Sequence, residues 1–191
     1  QGGSGQGVET GEMYDKQTFD VYQEIEGLPE GSYEVSLQGF QRPTWHDACQ
    51  AAWGTDAKEA QVTAYAYGND GSVKLHHCYD EVFDEPMQAE GWGKDVQLSL
   101  PNDELRNGKY ALDALTGTHK AFEEGHFENR FVCYVKADGK LRVGVRMTED
   151  AGLSGDWTTY DNFRLKYLGA EDMTGAVSAF EARIADAKVL L

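Results

Sequence analysis

Apolar and polar residues alternate in short runs along this chain, and a period of two predicts strands. Phe19-Asp20-Val21-Tyr22-Gln23-Glu24-Ile25 alternates, and Leu28-Pro29-Glu30-Gly31 closes it with turn-forming residues. Tyr33, Val35 and Leu37 share one parity in the next run, which predicts a hairpin around LPEG. Residues 61–67 (QVTAYAY) form a further strand, ended by Gly68-Asn69-Asp70-Gly71, and Val73, Leu75 and His77 continue beyond that turn as its partner. Phe131 to Val135, then Asp138-Gly139, then Leu141, Val143 and Val145 predict the clearest hairpin, because Asp-Gly is a strong two-residue turn. Residues 157–168 put Phe163, Leu165 and Tyr167 on one face, with Arg164 and Lys166 on the other. Seven or eight strands and one helical pattern predict an all-β, two-sheet antiparallel sandwich. Its core is expected to hold Phe19, Val21, Val35, Leu37, Val143, Val145, Phe163 and Leu165 in one cluster.

Four stretches break this rhythm. Residues 1–7 (QGGSGQG) read as flexible linker. Residues 41–60 and 86–130 are long for loops, and loops of that length on a sandwich either carry function or contain small helices. Within the second, residues 101–122 read as partly helical, stopped at Glu124-Gly125. From Glu171 onward, Val177, Phe180, Ile184, Ala187 and Leu191 recur at helical spacing. This helix, residues 170–191, either packs back on the sandwich or begins a following domain, and its interruption in mid-pattern favours the second.

Composition bounds the function. Thirty-three acidic against 17 basic residues give a formal net charge of −16, a field that disfavours nucleic acid and anionic lipid as partners and favours a bound cation. No run approaches the roughly 18 apolar residues that span a bilayer. No signal peptide starts the chain, so an export signal is expected upstream. Cys49, Cys78 and Cys133 are odd in number and lack C-x-x-C spacing, which argues against zinc and redox motifs. Cys133 reads as a buried apolar residue, whereas Cys49 and Cys78 are free to pair in an oxidising compartment or to remain thiols.

The residues favour binding over catalysis. The G-x-S-x-G, H-E-x-x-H and P-loop motifs are absent, and His76-His77, on a strand, point to opposite faces and make no joint metal site. Sugar recognition needs an aromatic ring for the apolar pyranose face and planar polar groups for hydroxyls. Arg42, Trp45, His46, Gln50 and Trp53 supply both within twelve residues, and Trp92 stands between Gly91 and Gly93 in the next long loop. The alternative is that Trp45 and Trp53 anchor their own loop against the sandwich. Trp157 is expected in the core. Asp161 shares the parity of Phe163 and Leu165, which points a carboxylate inward, where it needs a cation or capped backbone N–H groups.

Four motifs in order carry a resemblance. FDVYQEIEGLPEGSYEVSLQGFQR, Phe122-Glu123-Glu124-Gly125-His126-Phe127-Glu128-Asn129, DGKLRVGV at 138–145 and GDWTTYDNFRLKYLG at 155–169 are similar to a recurrent Bacteroidetes module. That module resembles galactose-binding-like jelly rolls found beside glycoside hydrolases, peptidases and adhesins in surface proteins. The match covers about residues 8–169 and departs at Phe127, where the family usually has Tyr, and in the 41–60 insertion. The resemblance implies a non-catalytic module of a larger secreted, cell-surface or periplasmic protein. Its expected partners are a polysaccharide or host glycan and the neighbouring domains of its parent. It also implies one structural Ca²⁺ where the N-terminal strand meets the last, with Glu9 or Glu12 facing Asp161. The competing functions are a structural spacer and a catalytic β-sandwich hydrolase.

Overall fold

The structure, a computed structural model, describes residues 10–15, 18–91 and 93–175. The expected linker, Glu9, Trp92 and the apolar face of the C-terminal helix lie outside the described residues. The strands are β1 (Gly11–Tyr14), β2 (Phe19–Ile25), β3 (Gly31–Arg42), β4 (Ala64–Gly68), β5 (Gly71–Lys74), β6 (His76–His77), β7 (Val96–Gln97), β8 (Tyr110–Ala111), β9 (Glu128–Val135), β10 (Leu141–Met147) and β11 (Trp157–Gly169). Among the described residues two α-helices, α1 (His46–Ala52) and α2 (Leu115–Glu123), and a 3-10 turn at Lys58–Ala60 interrupt them. The expected helix at 101–122 therefore starts only at Leu115, and Gly125, at φ +87°, follows its end.

The protein is mostly β, with antiparallel sheets. One sheet runs β1-β11-β3, and the far edge of β3 pairs with β9 along 31–38 and, in parallel, with the short β6 at Phe40 and Gln41. The other runs β2-β10-β4-β5, and β7 and β8 form a small separate ribbon. Between the two main sheets, Tyr33, Val35 and Leu37 of β3 and Phe131, Cys133 and Val135 of β9 meet Leu141, Val143, Val145 and Met147 of β10 and Ala64 and Ala66 of β4. Burial of each large apolar side chain there contributes about 1.5–3 kcal/mol.

Two of the three expected hairpins are instead arches between sheets. β2 pairs with β10, not with β3, and β9 pairs with β3 while β10 pairs with β2 and β4. The segments either side of LPEG and of Asp138-Gly139 thus face each other across the core rather than sharing a ladder. The turns do meet: the Leu28 N–H donates to the Gly139 carbonyl at 3.1 Å. The β4–β5 hairpin forms at the expected turn, with Gly68 opposite Gly71, but it ends at Lys74, and His77, expected to continue it, crosses to β6 and pairs in parallel with β3.

The expected core also needs correction. Val35, Leu37, Val143 and Val145 are buried together, and Phe19 and Leu165 pack at the margin. Val21 remains 37% exposed, because β2 is an edge strand, and Phe163 remains 38% exposed. Phe163 lies within a β-bulge of β11. Asp161 lies opposite Gln38, but Arg164 lies opposite Ser36, and Asn162 between them sits at φ +55°. One extra residue reverses parity along the strand. Leu165 therefore shares the core face with Val35, whereas Asp161 turns to the opposite face with Trp157 and Thr159.

That opposite face is covered by the long loops. Phe40 and Trp157 project from the sheet into a second core with Cys49, Cys78, Tyr79, Leu98, Leu112, Phe122 and Phe127. Phe127 is fully buried with its ring 4.7 Å from that of Phe40, a dry setting that favours Phe over a tyrosine hydroxyl in need of a partner. Trp157 is core, as expected, but in this second cluster. Cys49, Cys78 and Cys133 are buried thiols, and burial pushes the Cys49 pKa up to about 11.

Candidate functional site

The C-terminal end of β3 launches Arg42 out of the sheet onto the loop-covered face, opposite Trp157. Arg42 is buried. Its Nη1 pairs with the Asp113 carboxylate, its Nη2 donates to the Gly155 carbonyl at 3.0 Å, and its guanidinium lies between the rings of Trp45 (5.7 Å) and Trp157 (5.6 Å). Asp113 is positioned in turn by Asp95, whose carboxylate accepts the N–H groups of Asp113 (3.1 Å) and Gln88 (2.9 Å). Burial raises the Asp95 pKa, against the lowering effect of those N–H bonds.

Trp45 is the residue this scaffold presents. It precedes α1, and the Thr44 hydroxyl bonded to the Ser154 carbonyl at 2.8 Å fixes its approach. Its ring is 52% exposed and rests on Gly155, where a Cβ would stand 2.4 Å from the indole, so only glycine fits at φ +76°. Tyr14, at the end of β1, is 46% exposed and meets Trp45 edge-on with ring centroids 6.2 Å apart. The Asp15 carboxylate accepts the Gly155 N–H at 2.8 Å, and the Asp15 N–H reaches the Asp156 carbonyl at 2.8 Å, which ties Tyr14 to the same loop.

The other expected site residues lie apart from this pair. His46 is buried, its Nδ1 2.8 Å from the Tyr79 hydroxyl and its Nε2 3.5 Å from Asp113, so it backs the edge rather than facing solvent. Trp53 caps the C-terminal end of α1, about 12 Å along the helix axis from Trp45. It is half-buried, donates Nε1 to Asp103 at 2.8 Å and lies 5.0 Å under the Arg106 guanidinium. The Trp53 N–H and then Arg106 hold the Asp103 carboxyl below its usual range. One flank of Trp53 opens on a groove of about 590 Å³ lined also by Gln50, Ser99, Pro101, Asn102 and Glu104. Trp92 lies outside the described residues, although the neighbouring Gly93 abuts the Asp113 carbonyl.

Beneath Trp53, His77 is buried and its Nδ1 accepts the Tyr79 N–H at 3.0 Å. Burial, assisted by His46 and Arg106 and opposed by Asp80, lowers its pKa to about 4, so the ring is neutral near pH 7. His76 points the other way, towards Asp80 and the Glu128 carbonyl, which agrees with the opposite faces expected of the doublet.

The calcium reading meets a different arrangement. β1 does pair with β11, Gly11 opposite Tyr160. However, Glu12 accepts the Trp157 indole N–H at 3.0 Å, while Asp161 accepts the Thr10 hydroxyl at 3.1 Å and the Asn162 N–H at 2.7 Å. Thr10 also reaches His119 of α2 at 3.1 Å. Among the described residues no group of three or more His, Cys, Asp or Glu side chains is placed to hold a metal ion. The bulge sets Asp161 on the face away from the main core, with Trp157 and Thr159, and Glu9, the other expected partner, lies outside the described residues.

Tyr14, Asp95, Asp103 and Asp113 were not singled out by the sequence pattern. Tyr14 belongs to a four-residue strand too short for alternation to register, and the aspartates sit in irregular segments without periodicity. Compared with known proteins, the chain matches no family model, no curated protein and no solved structure.

Proposed function

We propose that this chain is a non-catalytic glycan-binding accessory module of a larger secreted or surface protein, built on a galactose-binding-like jelly roll. The observation that carries the reading is the exposed, edge-on pair of Tyr14 and Trp45 on a rigid sheet edge. Aromatic rings at that exposure offer a pyranose an apolar face, and their fixed backing by Gly155, Arg42 and Asp113 limits the ordering entropy lost on binding. The groove beside Trp53, with Gln50, Asn102 and Glu104 at its rim, offers amide and carboxylate partners for hydroxyls of a second sugar unit.

The module binds weakly in this reading, with Kd in the micromolar to millimolar range, about 4–8 kcal/mol. A broad glycan array followed by isothermal titration tests it. Trp45→Ala and Tyr14→Ala are each expected to weaken binding about tenfold or more, equivalent to about 1.4 kcal/mol, while the melting curve changes little. Correctly folded protein that binds no plant, microbial or mucin glycan would leave the structural spacer as the better reading. The observation favouring that alternative is that Arg42 and His46, which a ligand would otherwise meet, are buried.

A further inference from the structure

The outer face of the β2-β10-β4-β5 sheet differs in character from the chain as a whole. Its register sets side chains in rows across the strands. Asp20, Arg146, Tyr65 and Lys74 form one row, and Tyr22, Gly144, Tyr67 and Ser72 the next. Arg142 stands opposite Glu24 in the row beyond. Asp20, Tyr22, Glu24, Ser72 and Lys74 are all exposed, with Tyr22 at 48%.

Each cation of this face lies over a tyrosine. Arg142 is 3.4 Å from the ring centroid of Tyr22, Arg146 is 4.4 Å from that of Tyr67, and Lys74 is 5.7 Å from that of Tyr65. Arg142 also donates to Asp20 at 3.1 Å, but Arg146 and Lys74 make no ion pair among the described residues. On a chain of net charge −16, three cations here oppose two carboxylates, those of Asp20 and Glu24. Charges farther than the roughly 8 Å screening length at physiological salt do little to a ligand seated here. Gly144 leaves bare backbone between Tyr22 and Tyr67, since a Cβ there would meet the Val21 carbonyl oxygen at 2.1 Å.

We propose that this face binds an acidic glycan, a chain whose pyranose rings carry carboxylates, laid across the strands along Arg146, Tyr65 and Lys74. The inference rests on the glycan-binding reading for its ligand class but uses a surface separate from Tyr14 and Trp45. Arg146 and Lys74 stand two strand spacings apart, about 10 Å, a span that carboxylates on nearby sugar rings bridge. Guanidinium binds carboxylate through paired N–H donors, and half-buried Tyr65 in this row and exposed Tyr22 in the next supply ring surface beside it, while Tyr67 is buried beneath Arg146. A neutral glycan would leave both cations without their counter-charge, which sets the specificity.

The test is isothermal titration of the full chain at physiological ionic strength with a galacturonate tetrasaccharide, a neutral galactose tetrasaccharide and a tetraglutamate peptide. The galacturonate is expected to bind at least tenfold more tightly than either control. Lys74→Gln with Arg146→Gln is expected to remove at least tenfold of that affinity, and Lys58→Gln, at an exposed cation of the 41–60 segment, to leave it within twofold. If the double variant does not fold, the exposed Lys74→Gln alone is read against the same loss. Folded wild-type protein that gives no heat with galacturonate overturns the proposal. So does equal binding of tetraglutamate, or a loss confined to Trp45→Ala, which would assign the acidic ligand to the other edge. Neutral-glycan binding that survives Trp45→Ala would count against the Tyr14–Trp45 site alone and leave this face untouched.

Discussion

Asp113→Ala is expected to lower the stability of the protein by about 3–5 kcal/mol, the usual cost of stripping one partner from a buried ion pair. The Arg42 side chain is 4% exposed and Asp113 is 25% exposed, so without the carboxylate a guanidinium is left charged and out of reach of bulk water. Its remaining partner is the Gly155 carbonyl, and its Nε already has none. At roughly 2–4 °C per kcal/mol for a domain of this size, the melting temperature falls by about 10 °C. Two comparisons make the cause visible. Replacing both partners, Arg42→Met with Asp113→Leu, costs less than Asp113→Ala alone, because no unpaired charge remains. Removing Glu26 from Lys140, a pair 70% and 64% exposed, leaves the melting curve nearly unchanged, because water already solvates both charges. A loss below about 1 kcal/mol at Asp113 would mean that water reaches the pair, and the account of how Trp45 is held would fall with it.

Acidification from pH 7 is expected to destabilise the protein by about 3 kcal/mol, mostly between pH 6.5 and 4, through His77. Its folded pKa is lowered to about 4 by burial, with His46 and Arg106 adding and Asp80 opposing, from an ordinary 6.5. Between those values the unfolded chain binds a proton that the native chain refuses, so stability falls as pH falls, and below about 4 the loss stops. The fall is about 2.5 pKa steps of 1.36 kcal/mol each. His76 acts with the opposite sign. The hydrogen bond to Asp80 raises its pKa, so its contribution is complete below about 6.5 and is lost as pH rises through the folded value; half-exposed, it contributes little. Asp80 and Asp103, both lowered, release their stabilisation only below about 3.8. His77→Asn keeps an acceptor for the Tyr79 N–H and does not titrate. Melting curves at several pH values should therefore slope for the wild type and stay nearly flat for the variant between pH 4.5 and 6.5. Equal slopes would place the acid sensitivity elsewhere.

These two buried constellations mark how far the candidate site was legible in the chain. Arg42, Trp45 and His46 stand out because an aromatic, a cation and a histidine crowd one polar segment after a strand. Their separate fates were not legible. Trp45 is open because Gly155, 110 positions later, lets its ring lie flat at the surface, while Arg42 is buried because Asp113, 71 positions away, meets it. Tyr14 carried no signal at all, since its exposure depends on β1 being the edge of a sheet whose order is set by remote strands.

The sequence by itself determined that the chain is β-rich, which faces of β3, β9 and β10 are buried, where the β4–β5 turn lies and which segments leave the sheets. Those properties follow from a period of two and from turn residues, both readable within a few positions. Tertiary structure alone decided that β9 and β10 join opposite sheets, although the Asp-Gly turn between them suits a hairpin. Inward alternation is identical for two strands that share a ladder and for two that face each other across a core, so the pattern reports burial and not partner. Tertiary structure also decided where Asp161 points. A single residue inserted at Asn162 reverses the side chains that follow it as far as Tyr167, and whether a strand bulges depends on the partner it must stay in register with.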